Sequence, residues 1–155
     1  MKMDSLHDQS LSFQELMPLI REQIGRGGSI RIAPKGTSML PMLRQGMDTV
    51  VLSPAPERLR KYDIPFYQRD NGQFVLHRIT AVGDTYTCVG DNQFQLEPGV
   101  RRDQIIAVVS AFNRGGREIP VRNLGYRCYC RFWHYSRPMR RIWCGAVSRL
   151  RRILP

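Results

Sequence analysis

The chain has 155 residues, of which 42% are hydrophobic, and this size and composition suit one globular domain rather than a disordered chain. It carries a formal net charge of +11, and no acidic residue follows Glu118, so most of the excess charge belongs to the C-terminal segment. No apolar run reaches the roughly 20 residues that span a bilayer. The cysteines suggest no disulfide framework. No metal is expected, because no common zinc site has the spacing of Cys128, Cys130, His134 and Cys144.

Residues 12–24 are predicted to form an amphipathic helix that ends at the glycines from Gly25 to Gly28. Ser12 and Glu15 have the spacing of a capping box. The apolar residues that recur at helical spacing are Leu16, Leu19, Ile20 and Ile24. Residues 1–11 are expected to be disordered and lack the apolar core of a secretory signal. We therefore expect a cytoplasmic protein, or one held peripherally at the inner face of the membrane.

The next notable segment runs from Gly36 to Pro41 and places Ser38 between small and apolar neighbours, ahead of a β-rich run. A serine hydroxyl becomes a nucleophile if a base reaches it, and the N–H of Ser38 with a hydroxyl such as that of Thr37 can hold an oxyanion. The alternative is a plain turn, because glycine, threonine and serine favour turns without any catalytic task.

Short runs rich in β-branched and aromatic residues predict a mostly β domain over residues 12–123, built as a sandwich or barrel. The predicted strands are 29–33, 49–52, 66–67, 73–82, 85–89 and 105–112. Asn71–Gly72 and Gly83–Asp84 are typical of tight hairpin turns.

The candidate base is His77, which follows Leu76 near the middle of the longest of these strands. An imidazole has an unperturbed pKa near 6.5 and accepts a serine proton at neutral pH, whereas the guanidinium of Arg78 stays protonated. Lys61 is the reserve base, and the competing interpretation of His77 is a strand histidine without a task. Asp91 can orient the imidazole, as the carboxylate does in a Ser-His-Asp triad, or simply form a turn.

These blocks together resemble the S24/S26 serine peptidases, the group of signal peptidase I and the LexA-type proteins. The resemblance covers residues 12–113 and rests on Ser38–Pro41, on Gly46–Asp48 with one extra residue, on Leu76–Ile79 and on Gly90–Asn92. A histidine stands where many members carry a lysine base, as in archaeal and endoplasmic-reticulum signal peptidases. The N-terminal membrane anchor of true signal peptidases is not expected here.

The resemblance implies a coiled, mixed-sheet fold and a serine endopeptidase that needs no metal or organic cofactor. Ser38 would be the nucleophile and His77 the general base, while Thr37, Met39 and Pro41 would contact substrate. The substrate would be an extended leader or precursor peptide with small side chains near the cut, added as a strand along the cleft edge.

The third catalytic member is the least determined part of this site. The resemblance implies Asp91, from the Gly-Asp-Asn turn. Histidine-type relatives carry an acidic pair a few residues later, which this chain lacks, so Glu97 and Asp103 are further candidates. The absence of the acidic pair and of an expected membrane anchor is the basis of a second hypothesis: a peptide- or membrane-binding module on the same fold that has lost hydrolysis.

Residues 124–155 interleave aromatic residues with arginines and are predicted to form two helices separated at Pro138. Such a segment can bind nucleic acid, lie on an anionic membrane surface or pack on the β core. We expect membrane-surface attachment, with Leu150, Ile153 and Leu154 on an interfacial helix. Nucleic acid is the less favoured partner, because no helix-turn-helix or RNA-binding signature accompanies the charge.

Overall fold

The computed structural model describes the backbone of residues 13–153 and the side chains of residues 15–145. In that range the chain is mostly β, as predicted, with helices at both ends. The helices are α1 (Phe13–Gly25), α2 (Leu124–Tyr135) and α3 (Arg137–Ile153), with a 3-10 turn at Arg102–Gln104. The strands are β1 (Ile30–Ile32), β2 (Thr49–Ser53), β3 (Pro65–Gln68), β4 (Phe74–Leu76), β5 (Arg78–Val82), β6 (Tyr86–Val89), β7 (Glu97–Val100), β8 (Ile105–Arg114) and β9 (Arg117–Pro120). The disorder predicted for residues 1–11, the capping role of Ser12 and the interfacial side chains of Leu150, Ile153 and Leu154 lie outside what is described.

The strands form two antiparallel sheets. The larger sheet has the order β1-β2-β8-β3-β4, with β9 added to β8, and the smaller sheet has the order β5-β6-β7. Every described strand pair is antiparallel, which differs from the mixed sheet that the resemblance implies. Strand β4 is an edge strand of the larger sheet, so one side of its backbone has no neighbouring strand among the described residues.

Helix α1 forms where predicted and covers the larger sheet. Met17, Ile20 and Ile24 bury their side chains in the same cluster as Val50 of β2, which explains why apolar residues recur at helical spacing there. Leu19, expected on this apolar face, is 53% exposed because it lies on the opposite side of the helix from the core.

The predicted strand over 73–82 is two strands that belong to different sheets, and His77 is the residue between them. Beyond His77 the chain leaves the larger sheet: the N–H of Ile79 donates to Asp63 O at 2.9 Å, and its carbonyl accepts from Tyr62 N at 2.9 Å. A continuous β-branched run cannot reveal this change of partner, because the run keeps its β character while the sheet changes. The crossing fixes His77 at the junction of the two sheets.

Both predicted hairpin turns are confirmed. Asn71–Gly72 joins β3 to β4, and Gly72 has a φ of +84°, a conformation that glycine adopts without steric cost. Gly83–Asp84 joins β5 to β6, closed by a hydrogen bond from Gly83 N to Thr85 O at 3.0 Å. Sequence analysis missed β7 and β9, because each is short and carries proline, which is depleted in strands.

The two C-terminal helices are confirmed, with the break at Ser136 and Pro138 in the first turn of α3, where its missing N–H costs no hydrogen bond. Helix α2 packs on the β core through Tyr126 and Cys130, which are 8% and 2% exposed. Among the described residues, no helix combines the length and the apolar character that crossing a membrane requires.

Candidate active site

A cleft of about 530 Å³ lies between the loop that follows β1 and the edge strand β4. Ser38 and His77 both line this cleft, although 39 positions separate them in the sequence. Met39 lines it as well, while Phe74 and Leu76 belong to its β4 side. The fold therefore brings together the two residues that the sequence singles out as nucleophile and base.

The Ser38 loop is anchored on both sides of the serine. Met39 and Leu43 are buried, and the Leu43 N–H donates to Met39 O at 2.9 Å, so the serine sits on a compact turn. Farther along, Arg44 donates to both carboxylate oxygens of Asp48, from Nε at 2.9 Å and from Nη2 at 2.8 Å. The Gly-Asp part of the sequence motif thus closes the loop that presents Ser38.

The Gly90–Asn92 turn packs against the backbone of the serine. Asn92 donates from its backbone N–H to Ser38 O at 2.8 Å and from Nδ2 to Thr37 O at 3.2 Å. A Cβ on Gly90 would lie only 2.6 Å from Ser38 O, so only glycine fits this close approach. The turn therefore helps to fix the position of Ser38.

His77 is 4% exposed, and its Nδ1 atom faces a network of polar side chains. Nδ1 lies 3.5 Å from Glu97 Oε2 and 3.4 Å from the hydroxyl of Tyr67. Tyr67 donates to Glu97 Oε2 at 2.7 Å, and Arg69 donates to both oxygens of Glu97 at 2.6 and 2.7 Å. Glu97 is thereby fixed as the carboxylate beside the imidazole.

Burial sets the protonation of this network. It lowers the pKa of His77 below its usual 6.5, because the charged imidazolium is poorly solvated; the charge of Glu97 acts the other way without cancelling the effect. Burial alone would raise the pKa of Glu97, but hydrogen bonds from Arg69 and Tyr67 outweigh it and hold that pKa below the usual value. Burial also keeps Tyr67 protonated by raising its pKa. The site at neutral pH therefore holds a neutral imidazole beside a carboxylate.

The structure corrects the expectation that Asp91 orients His77. Both oxygens of Asp91 accept hydrogen bonds from Arg78, at 2.8 and 2.6 Å, and both side chains are fully buried. A carboxylate removed from water needs a full opposite charge, and Arg78 supplies it, whereas a neutral imidazole does not. Glu97, named as a lesser candidate, is the acidic residue next to His77.

The other predicted site residues do not line the cleft. Thr37 is exposed on the serine loop and Pro41 is exposed after a cis peptide bond, and neither belongs to the lining of the cleft. Asp103 pairs with Arg101 at 3.2 Å on the surface. Lys61, the reserve base, lies with its Nζ 5.3 Å from the centre of the Tyr62 ring, in a different groove.

Two members of the site escaped sequence analysis, namely Tyr67 and Arg69. Tyr67 lies in β3 and Arg69 directly follows the strand, and both side chains contact Glu97. Their closeness in the sequence was the available signal, but nothing in the sequence says which carboxylate the pair would meet.

Chemically, the arrangement offers a serine and a neutral imidazole in one cleft. A carboxylate at Nδ1 favours the tautomer with its proton there, which leaves Nε2 as the acceptor. Among the described contacts, Ser38 and His77 make no direct hydrogen bond, and such bonds are often long before substrate binds.

Comparison with protein-family models, with curated proteins and with solved structures found no match to this chain. The fold and the cleft define a mostly β protein with a serine and a buried histidine in one cleft. Its activity is therefore inferred from the chemistry of the cleft itself.

Proposed function

We propose that this protein is a serine endopeptidase in which Ser38 is the nucleophile and His77 the general base. The observation that carries the proposal is the shared cleft, in which the serine lies with a buried, neutral imidazole whose Nδ1 faces Glu97. The resemblance of the four sequence blocks to the S24/S26 peptidases supports the same assignment.

In the proposed mechanism the Oγ atom of Ser38 attacks the carbonyl carbon of the scissile peptide bond while its proton passes to Nε2 of His77. The imidazolium that forms is stabilised by Glu97, and the oxyanion accepts a hydrogen bond from the N–H of Ser38. His77 then gives its proton to the leaving amine. Water, activated by the same imidazole, releases the acyl group from Ser38.

The proposed substrate is an extended leader or precursor peptide. Strand β4 is the edge of the larger sheet and leads directly to His77, so a peptide added along residues 74–76 would carry its backbone to the base. Such pairing recognises the backbone, and the side chains that line the cleft would select small residues near the cut.

We propose that the peptidase works in the cytoplasm or at the inner face of the membrane, held by an apolar stripe on its C-terminal helices. The stripe residues, each 67–75% exposed, are Phe132, Tyr135, Met139, Ile142 and Trp143. They belong to a segment rich in arginine and without carboxylates, a combination that suits an anionic bilayer surface.

Vesicle co-sedimentation tests this attachment. Ile142→Glu/Trp143→Glu is expected to abolish binding to vesicles of phosphatidylcholine and phosphatidylglycerol, because it places charge in the apolar stripe. The matched control Leu19→Glu/Met47→Glu changes the net charge equally at exposed apolar positions elsewhere and is expected to bind like the wild type. Equal loss in both variants would contradict the attachment.

Incubation with a proteome-derived peptide library tests the activity. The purified wild type is expected to generate new peptide termini, and Ser38→Ala none. His77→Ala is expected to slow cleavage by roughly 10²- to 10⁴-fold, the usual contribution of a general base. Lys61→Ala, the rival base, is expected to cleave normally. Absence of cleavage by the folded wild type would favour the binding module without hydrolysis.

A further inference from the structure

A second groove, distinct from the Ser38 cleft, lies between the segment that joins β2 to β3 and helix α2. Its volume is about 1150 Å³, more than the roughly 300–1,000 Å³ of typical small-molecule sites. Pro54, Pro120 and Val121 contribute accessible apolar lining, and the buried side chains of Ile64 and Val109 lie beneath it. A groove of this size with an apolar lining suits a segment of polypeptide.

Six basic side chains border this groove, three from each of two chain segments. They are Arg58, Arg60, Lys61, Arg122, Arg127 and Arg131. All six residues are exposed, and within the described part of the chain none of them forms an ion pair with a carboxylate. Concentrated like charge of this kind costs stability unless an anionic partner is present, and it attracts such a partner over a distance.

The described lining of the groove holds one carboxylate, Asp63, against six basic side chains. Its Oδ2 atom accepts a hydrogen bond from the backbone N–H of Arg60 at 2.8 Å. The groove therefore keeps most of its positive charge.

We propose that this groove binds an acidic, extended segment of another polypeptide. Side chains of an extended chain point alternately to opposite sides, so acidic residues can meet the arginines and lysine while apolar residues contact the lining. Single-stranded nucleic acid is disfavoured because it needs exposed rings for stacking. Tyr126 is 8% exposed with its hydroxyl bound by Arg78, and the Tyr62 ring is engaged by His134 and Lys61.

The test measures fluorescence anisotropy of a labelled decapeptide of alternating glutamate and valine, at about 0.15 M salt. All proteins carry Ser38→Ala in the full chain, so the result does not depend on peptidase activity. The glutamate peptide is expected to bind, and its glutamine-for-glutamate counterpart is not. Failure to bind the glutamate peptide would overturn the proposal.

Charge-matched variants locate the site. Arg58→Glu/Arg127→Glu is expected to weaken binding about tenfold or more, because both charges border the groove. Arg117→Glu/Arg141→Glu carries the same net charge, changes exposed residues outside the groove and is expected to stay within about twofold of the parent. If Arg58→Glu/Arg127→Glu fails to fold, Arg58→Gln/Arg127→Gln gives a milder form of the test, with about threefold weaker binding expected.

Equal weakening by the groove and control pairs would overturn the proposal, since it would reveal only general attraction to a basic protein. Competition identifies the occupant. Displacement of the peptide at lower concentrations by oligothymidylate or by phosphatidylglycerol vesicles than by unlabelled peptide would assign the groove to nucleic acid or lipid instead.

Discussion

At the scale of single residues, the site depends on a histidine that is buried yet still oriented by charge. Burial disfavours the imidazolium of His77, the Glu97 carboxylate favours it, and Arg69 both holds Glu97 and repels the charged imidazole. The balance leaves the pKa of His77 below its usual value, so the imidazole is neutral at neutral pH, the form that a general base requires.

Glu97→Gln is expected to lower the pKa of His77 further, because it removes the negative charge and leaves Arg69 uncompensated. An NMR titration of the three histidines, with His77 assigned through His77→Ala, measures this shift directly. The acid limb of kcat/KM, which rises with pH as the base loses its proton, should move to lower pH by the same amount. The plateau should fall on the order of 100-fold, because the imidazolium loses its stabilising carboxylate.

Asp103→Asn is the matched control for this prediction. Asp103 is paired with Arg101 on the surface, so its loss should leave both the His77 titration and the activity unchanged. An unaltered His77 pKa in Glu97→Gln would show that Glu97 does not act on the base.

Sequence order predicted Ser38 and His77 as the catalytic pair but placed Asp91 ahead of Glu97, the carboxylate that lies next to the imidazole. Asp91 has the motif context, yet it lies opposite Arg78, which is 1% exposed and needs that charge. Glu97 lies beside the imidazole because β7, which it begins, pairs with β6 in the smaller sheet. Which of two nearby carboxylates faces a given side chain is decided by strand pairing, and no local pattern encodes it.

At the scale of elements, the C-terminal helices contact the Gly90–Asn92 turn, and this turn contacts the backbone of Ser38. Trp133 donates from Nε1 to Asp91 O at 2.8 Å, and Arg140, stacked 3.7 Å from the Trp133 ring centre, donates to the same oxygen at 3.3 Å. Asn92 of this turn donates its backbone N–H to Ser38 O. The C-terminal helices are thus connected to the Ser38 cleft through a chain of direct contacts.

Gly90→Ala is expected to cut kcat/KM on the order of 100-fold, because displacing a reacting group by about 1 Å has an effect of that size. Its new methyl would lie 2.6 Å from Ser38 O and 3.1 Å from Ser38 Cβ, so the serine must shift. The cleavage rate of a peptide identified from the library measures the effect, and the melting temperature reports whether the fold survives.

Gly83→Ala serves as the control substitution. The nearest atom to its new methyl is 3.7 Å away, an ordinary contact, so activity should stay near that of the wild type. Full activity in a folded Gly90→Ala protein would contradict the role assigned to the turn.

Periodicity and turn residues predicted most of the elements, including α1, both hairpins and the two C-terminal helices. They failed where long-range pairing decides the outcome. The run over 73–82 changes sheets at His77 without a break in its β character, and Glu97–Val100 forms a strand despite Pro98 and Gly99 because β6 offers it an edge. Local propensity is a weak guide when a neighbouring strand supplies the hydrogen bonds.

At the scale of the whole molecule, the C-terminal segment is joined to the β domain by a buried charge. Arg78 donates from Nη1 to the hydroxyl of Tyr126 at 2.8 Å and to the Cys130 sulfur at 2.9 Å, besides pairing with Asp91. Removal of residues 124–155 would leave that guanidinium short of partners and expose the core beneath α2. Point substitutions on the exposed face are therefore the sounder probes of the segment.

The net charge of +11 is distributed unevenly over the molecule. Two cations line the Ser38 cleft, Lys35 and the ion-paired Arg69, whereas six basic side chains without carboxylate partners among the described residues border the second groove. The proposed hydrolysis uses the Ser38 cleft, the proposed segment binding uses the second groove and the proposed surface attachment uses the apolar stripe, so separate substitutions test each of them.

The most direct test of the central claim compares new peptide N-termini in cells that express the wild type, Ser38→Ala or Ser29→Ala. Ser29 is an exposed serine outside the cleft and controls for loss of a hydroxyl. A set of N-termini present with the wild type and Ser29→Ala but absent with Ser38→Ala is predicted, and it would reveal the substrate and its cleavage site together. Identical sets from folded, equally abundant proteins would contradict the assignment of Ser38 as a peptidase nucleophile.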